Sequence, residues 1–155
     1  MPLLNNASKL WVGSTAVSKV FLGAIEVWSG SSGPPSGWVV GWGSNSDGQT
    51  TTPAGLTDVI GVSAGGYHSL ALKSDSTVVG WGYNAYGQTT PPAGLSDATE
   101  LASLHYHSLA LKSDGTVVGW GLNADGQTTI PAGLTDVIGV SAGGYHSLAV
   151  TTVEP

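Results

Sequence analysis

The sequence contains no cysteine and no arginine, and charged residues make up only 9% of its 155 residues. Without cysteine the chain forms no disulfide and offers no thiolate ligands to zinc. Four lysines stand against ten acidic residues, which gives a formal net charge of −6. Because a nucleic-acid surface requires clustered lysine or arginine, this charge balance argues against a nucleic-acid partner.

Long apolar runs are also lacking, since no stretch reaches the roughly 18 residues that a membrane span requires. The first residues have neither the basic start nor the apolar core of a secretory signal peptide. We therefore expect no membrane insertion and no export by that route. Glycine, in contrast, is abundant at 24 residues, which indicates short strands joined by tight turns.

A 39-residue repeat dominates the sequence from Val39 onward, with copies at residues 39–77, 78–116 and 117–155. Each copy contains three short apolar runs, which read VVGWG, VIGVSAG and HSLALK in the first copy. These runs have the length of strands and are too short for helices. Glycine, proline and aspartate mark the turns between them. The pattern predicts that each copy forms a three-stranded antiparallel meander.

Such a meander is too thin to bury its own faces, so it must stack against neighbours of the same kind. The tryptophan that recurs in each copy is the expected filler between stacked units, because a buried aromatic ring removes roughly 150–250 Å² from water. The histidine that recurs before serine is interpreted as structural, bonding to a neighbouring backbone group, and no metal site is predicted. These structural positions are Trp42, Trp81, Trp120, His68, His107 and His146.

The motifs VVGWGxNxxGQ, PAGLTDV, SAGGYHSLAL and KSDGT resemble the regulator of chromosome condensation (RCC1) repeat. The resemblance is to the compact bacterial form, of the β-lactamase inhibitor protein II type, and it covers residues 39–150. It implies an all-β fold of propeller blades that bind ligands through loops on one face. Propellers of this family close with about seven blades, within the usual range of the architecture. With only three copies, the chain is expected to complete its ring as a dimer or trimer.

A shorter repeat occupies the N-terminus, where KLWVG is followed ten residues later by KVFLG. Residues 1–30 are interpreted as a small β unit of two strand–turn–strand halves, and residues 31–38 as a Gly/Ser/Pro linker. The pattern KLWVGSTAVSKVFLGAIEVW resembles modules near the N-termini of tailed-bacteriophage virion proteins. The resemblance implies a particle anchor whose apolar residues are Leu10, Trp11, Val20, Phe21 and Trp28.

Positions at which the copies differ are the candidates for ligand binding. Tyr83 and Tyr86 occur only in the second copy, in the loop after the tryptophan, and tyrosine is enriched in recognition sites. The alternative is sequence drift on a solvated loop. In the second copy Leu104 and His105 replace glycines, which predicts a special contact, either a subunit interface or a ligand. Leu122 replaces Tyr83 in the third copy. His105 and His107 leave a weak metal site as an alternative.

No unique converging set of polar residues is visible, because the acidic residues mostly recur once per copy in turns. The chain is therefore predicted to be a binding or structural protein, not an enzyme, and to need no cofactor. Anchor, linker and display domain together suit a bacteriophage decoration, head-fibre or tail-fibre protein that is assembled in the host cytoplasm. Its expected partners are copies of itself, a virion protein and a host-surface glycan or protein. The alternative is a free bacterial protein-binding or inhibitor module of the RCC1 propeller type.

Overall fold

The computed structural model describes residues 10–12, 15–17, 19–22, 25–28 and 36–154 of the chain. These residues form strands, turns and loops and no helix, which confirms the predicted all-β class. Within this described part, accordingly, no helix is long and apolar enough to cross a membrane. The chain divides into two units, residues 1–35 and residues 36–155.

The N-terminal unit contains two β-hairpins. Strands β1 and β2 pair antiparallel, as do β3 and β4, so each half contains the predicted pair of strands, while the predicted glycine turns lie outside the described residues. The side chains of the five predicted anchor residues, Leu10, Trp11, Val20, Phe21 and Trp28, lie outside the described part of the structure, so their role stays a prediction. The strand bounds are β1 (Leu10–Val12), β2 (Thr15–Val17), β3 (Lys19–Leu22) and β4 (Ile25–Trp28).

Three antiparallel sheets follow, and we call them blades 1, 2 and 3. Blades 1 and 2 have three strands each, in sequential order, whereas blade 3 has two. Blade 1 contains β5 (Val59–Ala64), β6 (His68–Lys73) and β7 (Val78–Gly82). Blade 2 contains β8 (Ala98–Leu104), β9 (His107–Lys112) and β10 (Val117–Gly121), and blade 3 contains β11 (Val137–Ala142) and β12 (Ser147–Thr151).

The blades are offset by one strand from the sequence copies. Each VVGWG run pairs with the HSLALK run of the preceding copy, so that Trp81 lies opposite Ser69 and Trp120 opposite Ser108. This corrects the expectation that a copy folds as its own meander beginning with VVGWG. The reason is loop length: residues 74–77 form a tight turn between β6 and β7, whereas residues 83–97 separate β7 from β8.

The core lies between the blades. Leu70 and Leu72 of β6 pack against Ala98, Ala110 and Trp120 of blade 2. On the opposite face of β6, Ala71 packs against a second cluster that includes Trp81. The middle strand of each complete blade is therefore buried on both faces, which explains its continuous apolar sequence.

The recurring tryptophans differ in burial. Trp120 is buried as the stacking argument predicts, and Trp81 is half-buried. Trp42 does not follow the prediction, because its side chain is 84% exposed. Residues 39–43 form no strand, and within the described residues no blade precedes them in the chain.

Candidate functional site

All five tyrosines of the chain lie at one end of the blades. Each blade turns from its first to its second strand at this end, through residues 65–67, 105–106 and 143–146. The loop after β7 reaches the same place, since the Tyr83 N–H donates to the Tyr67 carbonyl at 2.9 Å. The loop after β10 repeats the contact, with the Leu122 N–H donating to the Tyr106 carbonyl at 2.9 Å.

Tyr106 is the centre of an aromatic cluster. Its ring stacks on Tyr67, with centroids 5.1 Å apart and planes inclined by 3°. Tyr86 presents its edge to Tyr106 at 5.3 Å, and the Tyr83 ring lies 5.8 Å away. Offset and edge-to-face pairs of this kind contribute roughly 0.5–1.5 kcal/mol each beyond their buried area. The four rings therefore support one another as a single surface.

His105 extends the cluster to blade 3. Its ring lies 6.1 Å from Tyr106 and 5.6 Å from Tyr145, edge-on to the latter. The equivalent position is Gly66 in blade 1 and Gly144 in blade 3, and a Cβ atom on Gly144 would lie 3.1 Å from the His105 ring. The imidazole thus occupies space that the neighbouring glycines leave open. We call Tyr67, Tyr83, Tyr86, Tyr106, Tyr145 and His105 the tyrosine surface.

Ion pairs lie at the end of the blades away from the tyrosine surface. At the end opposite the tyrosine surface, Lys112 pairs with Asp97 at 3.0 Å and Lys73 with Asp75 at 3.2 Å. Hydrogen bonds from Thr77 lower the pKa of Asp75 to about 2, so this carboxylate stays ionised. At the tyrosine end, desolvation and then the hydrogen bond with Tyr67 raise the pKa of Tyr106, so its phenol stays neutral.

The structure brings the five predicted binding residues to this end. Tyr83, Tyr86 and His105 belong to the tyrosine surface, Leu104 is 37% exposed beside His105, and Leu122 is half-buried. Sequence reasoning missed three members because they recur in every copy and were interpreted as scaffold. Their position next to the recurring histidine, at the start of a strand, was the available signal. These members are Tyr67, Tyr106 and Tyr145.

Two of the recurring histidines, His68 and His107, connect consecutive blades, whereas His146 is exposed. The Ser108 hydroxyl donates to the Gln88 carbonyl at 2.9 Å, so His68 Nε2, 3.0 Å from that hydroxyl oxygen, must be the donor of the second bond. Trp120 Nε1 donates to the same carbonyl at 2.8 Å. His107 lies 3.1 Å from Ser147 in the same way. The partner is thus a serine of the next blade, where the sequence suggested a neighbouring backbone group.

These histidines are held neutral. Burial lowers the pKa of His68 to about 4, and burial also lowers the pKa of His107. Among the residues that the structure describes, no three histidine, aspartate or glutamate side chains are arranged to hold a metal ion. The arrangement supports packing between blades and recognition at their tyrosine end.

The sequence pattern of the regulator of chromosome condensation (RCC1) repeat matches residues 59–88 and 105–127. Within these residues the match and the fold agree, because sequence of the RCC1-repeat type forms antiparallel sheets like propeller blades. No curated protein sequence matches the chain significantly.

Several solved propeller structures resemble the chain. Prp20p from Saccharomyces cerevisiae matches with a TM-score of 0.62 and 21% identity, over 72% of this chain and 38% of that one. The ectodomain of the receptor kinase CR4 from Physcomitrella patens has a TM-score of 0.58 and 29% identity, over 72% of this chain and 32% of that one. The ectodomain of the Arabidopsis thaliana receptor kinase ACR4 has a TM-score of 0.59 and 24% identity, over 72% of this chain and 39% of that one. The chain therefore spans less than two fifths of these structures.

Proposed function

We propose that this chain is a structural and recognition protein of a bacteriophage virion, of the decoration, head-fibre or tail-fibre type. In this proposal residues 1–30 attach to the particle, copies of the chain associate through their blades, and the tyrosine surface contacts the host. The observation that carries the recognition role is the gathering of all five tyrosines at one end of the blades. The virion role is supported by the resemblance of the N-terminal sequence to phage virion modules.

The tyrosine surface has the chemistry of a recognition site. Tyrosine offers a rigid apolar face and a hydroxyl group at low cost in conformational entropy. Tyr86 and Tyr145 are 48% and 63% exposed, so their faces are available to a ligand, while Tyr106 supports Tyr86 and His105 supports Tyr145. Because the surface as defined contains no carboxylate and no lysine, it fits an uncharged patch of a host-surface glycan or protein.

Related propellers support a binding role. Prp20p, the yeast RCC1 protein, has binding properties to Gsp1p and histones and has been solved bound to Kap60. We propose for this chain only the general role, in which RCC1-type blades serve as surfaces for macromolecular partners. Catalysis and cofactors have no part in this proposal, since the buried His68 and His107 are used in hydrogen bonds between blades.

Binding of labelled protein to whole bacteria tests the recognition role. We expect at least one isolate in a panel to bind, and Tyr86→Ala together with Tyr145→Ala to weaken binding about thirtyfold or more, as for hot-spot residues. Ile138→Ala, at an exposed apolar residue outside the tyrosine surface, is the matched control. Periodate and protease treatment of the cells distinguish a glycan from a protein ligand. Binding that survives the tyrosine substitutions would contradict the proposal.

A chain lacking residues 1–37 tests the particle anchor. In purified phage particles the full chain should be present and the shortened chain absent. If the shortened chain still joins the particle, the anchor assignment is wrong. The alternative, a free bacterial protein-binding or inhibitor module, is favoured if the protein occurs outside particles and the tyrosine surface binds a bacterial protein.

A further inference from the structure

Residues 39–43 form no strand, although two blade strands share their sequence. Their sequence, VVGWG, is that of β7 and β10. Within the described residues they pair with no strand, and Val40 and Trp42 are 75% and 84% exposed. Their backbone nevertheless resembles that of β7 and β10, since Gly43 has a φ of +97° where Gly82 and Gly121 have +95°. We call residues 39–43 the donor segment.

The following loop holds the donor segment in place. Thr52 Oγ1 donates to the Val39 carbonyl at 3.3 Å. A Cβ atom on Gly41 would overlap Thr50, just as one on Gly80 would overlap Thr89. The donor segment therefore lies against its own loop in the way that β7 does. Little conformational entropy remains to be lost when it joins a sheet.

Blade 3 has the corresponding vacancy. Within residues 36–154 it contains β11 and β12 and no third strand of the kind that blades 1 and 2 possess. The outer edge of β12 therefore presents unpaired backbone groups, which are a template for another strand. Beside this edge lies a cleft of about 420 Å³, lined by Gln127, Leu134, Ser147 and Ala149 among others.

The cleft is the empty counterpart of a filled site in blade 1. There, half-buried Trp81 packs against Leu56, Val59 and Ala71. Two repeats of 39 residues later, the equivalents of these three residues are Leu134, Val137 and Ala149. In the described chain no tryptophan follows β12 to fill the space.

We infer that the donor segment of a second copy of this chain adds to β12 as the third strand of blade 3. The register follows from blade 1, where Ser69 lies opposite Trp81 and Ala71 opposite Val79. It places Ser147 opposite Trp42 of the second copy. This inference deepens the proposed association of copies and is independent of the proposed ligand.

The hydrogen bonds of the chain continue across this junction. Trp81 Nε1 donates to the Gln49 carbonyl at 2.9 Å, and Trp42 of the second copy reaches the Gln127 carbonyl in the same register. The bond from His107 to Ser147, repeated one blade later, joins His146 to Ser69 of the second copy. The inferred contact thus repeats both the strand pairing and the side-chain hydrogen bonds that join blades 1 and 2 within one chain.

The inferred contact is head-to-tail, because each copy donates one strand and accepts one, so it must close into a ring to be finite. The three described blades of two copies add up to six, within the four to eight typical of propellers. A closed dimer is therefore the assembly that the experiments below test.

A cysteine pair tests the register, because the chain has no cysteine of its own. In the inferred register Val40 of one copy lies opposite Ala149 of the other. Paired residues in antiparallel strands have Cα atoms about 4.5–5.5 Å apart, within disulfide reach. We expect oxidised Val40→Cys/Ala149→Cys protein to form a covalent dimer. The control, Val40→Cys/Leu148→Cys, should form none, since neighbouring residues of a strand point to opposite faces.

Sedimentation of the full chain supplies the second measurement. Trp42→Ala should weaken the dimer about thirtyfold or more, as for a buried hot-spot residue. Trp38→Ala is the matched control, because Trp38 is 81% exposed and precedes the donor segment. Since both tryptophans are exposed in the single chain, both variants should keep its circular dichroism.

Each remaining outcome is informative. A dimer without the cysteine cross-link would contradict strand exchange and leave the association of copies standing. A monomer would contradict both. A cross-linked trimer would contradict the six-bladed ring. None of these results depends on the tyrosine surface, so failure here is distinguishable from failure of the host-binding proposal.

Discussion

Ser108 is the residue whose removal tests the connection between blades most sharply. It is fully buried, accepts from His68 and donates to Gln88. In Ser108→Ala the Gln88 carbonyl still accepts from Trp120, but the His68 ring nitrogen loses its partner. A buried polar group left unpaired costs about 1–3 kcal/mol, and the lost bond to the carbonyl about 1 kcal/mol more. The expected loss in free energy of unfolding is about 2–4 kcal/mol.

Ser69→Ala is the matched control. Ser69 donates to the Gln49 carbonyl at 2.7 Å, but within the described chain no histidine precedes it at the spacing that joins His68 to Ser108. Its removal should cost about 1 kcal/mol. Urea denaturation followed by tryptophan fluorescence measures both losses, in the Trp42→Ala background so that the chain stays monomeric. Equal losses for the two serines would refute the role assigned to His68.

Three further predictions concern stability. Folding lowers the pKa of His68 from 6.5 to about 4, so between pH 6.5 and pH 4 the unfolded chain binds more protons than the folded chain. The free energy of unfolding should therefore fall as the pH is lowered below 6.5, by roughly 2–3 kcal/mol at pH 4.5. Urea titrations of His68→Gln should show a smaller loss. Leu109→Ala should cost about 2–5 kcal/mol in the same assay, and exposed Ile138→Ala less than about 0.5 kcal/mol. Gly82→Ala should lower the melting temperature, since Gly82 has a φ of +95° and a Cβ atom would lie 2.8 Å from the Tyr67 carbonyl oxygen.

The strands were predictable because their signal is local. Runs such as HSLALK have strand length and are bounded by turn residues, so their class and bounds follow from the sequence. The grouping of strands into blades did not follow, because a repeat read from sequence can be divided at any point. The information lay in the loop lengths: residues 74–77 are a tight turn, and residues 83–97 are a crossing between blades.

The candidate site was predictable only in part. Tyr83 and Tyr86 differ between copies and were found for that reason. Tyr106 recurs in every copy, and its place at the centre of the cluster depends on which end of the strand faces the loop after β7. That relation is set by the pairing of three strands from two sequence copies. No comparison between equivalent positions could reveal it.

Hydrogen exchange at the donor segment tests the central claim that a blade is completed by its neighbour. In the assembled protein, the amides of residues 39–43 should be protected to the same degree as those of β7, because they pair with β12 of the second copy. Trp42→Ala should remove this protection and leave β7 unchanged. If residues 39–43 of the native protein exchange as fast as an unfolded chain while β7 is protected, no strand is exchanged and the account is wrong.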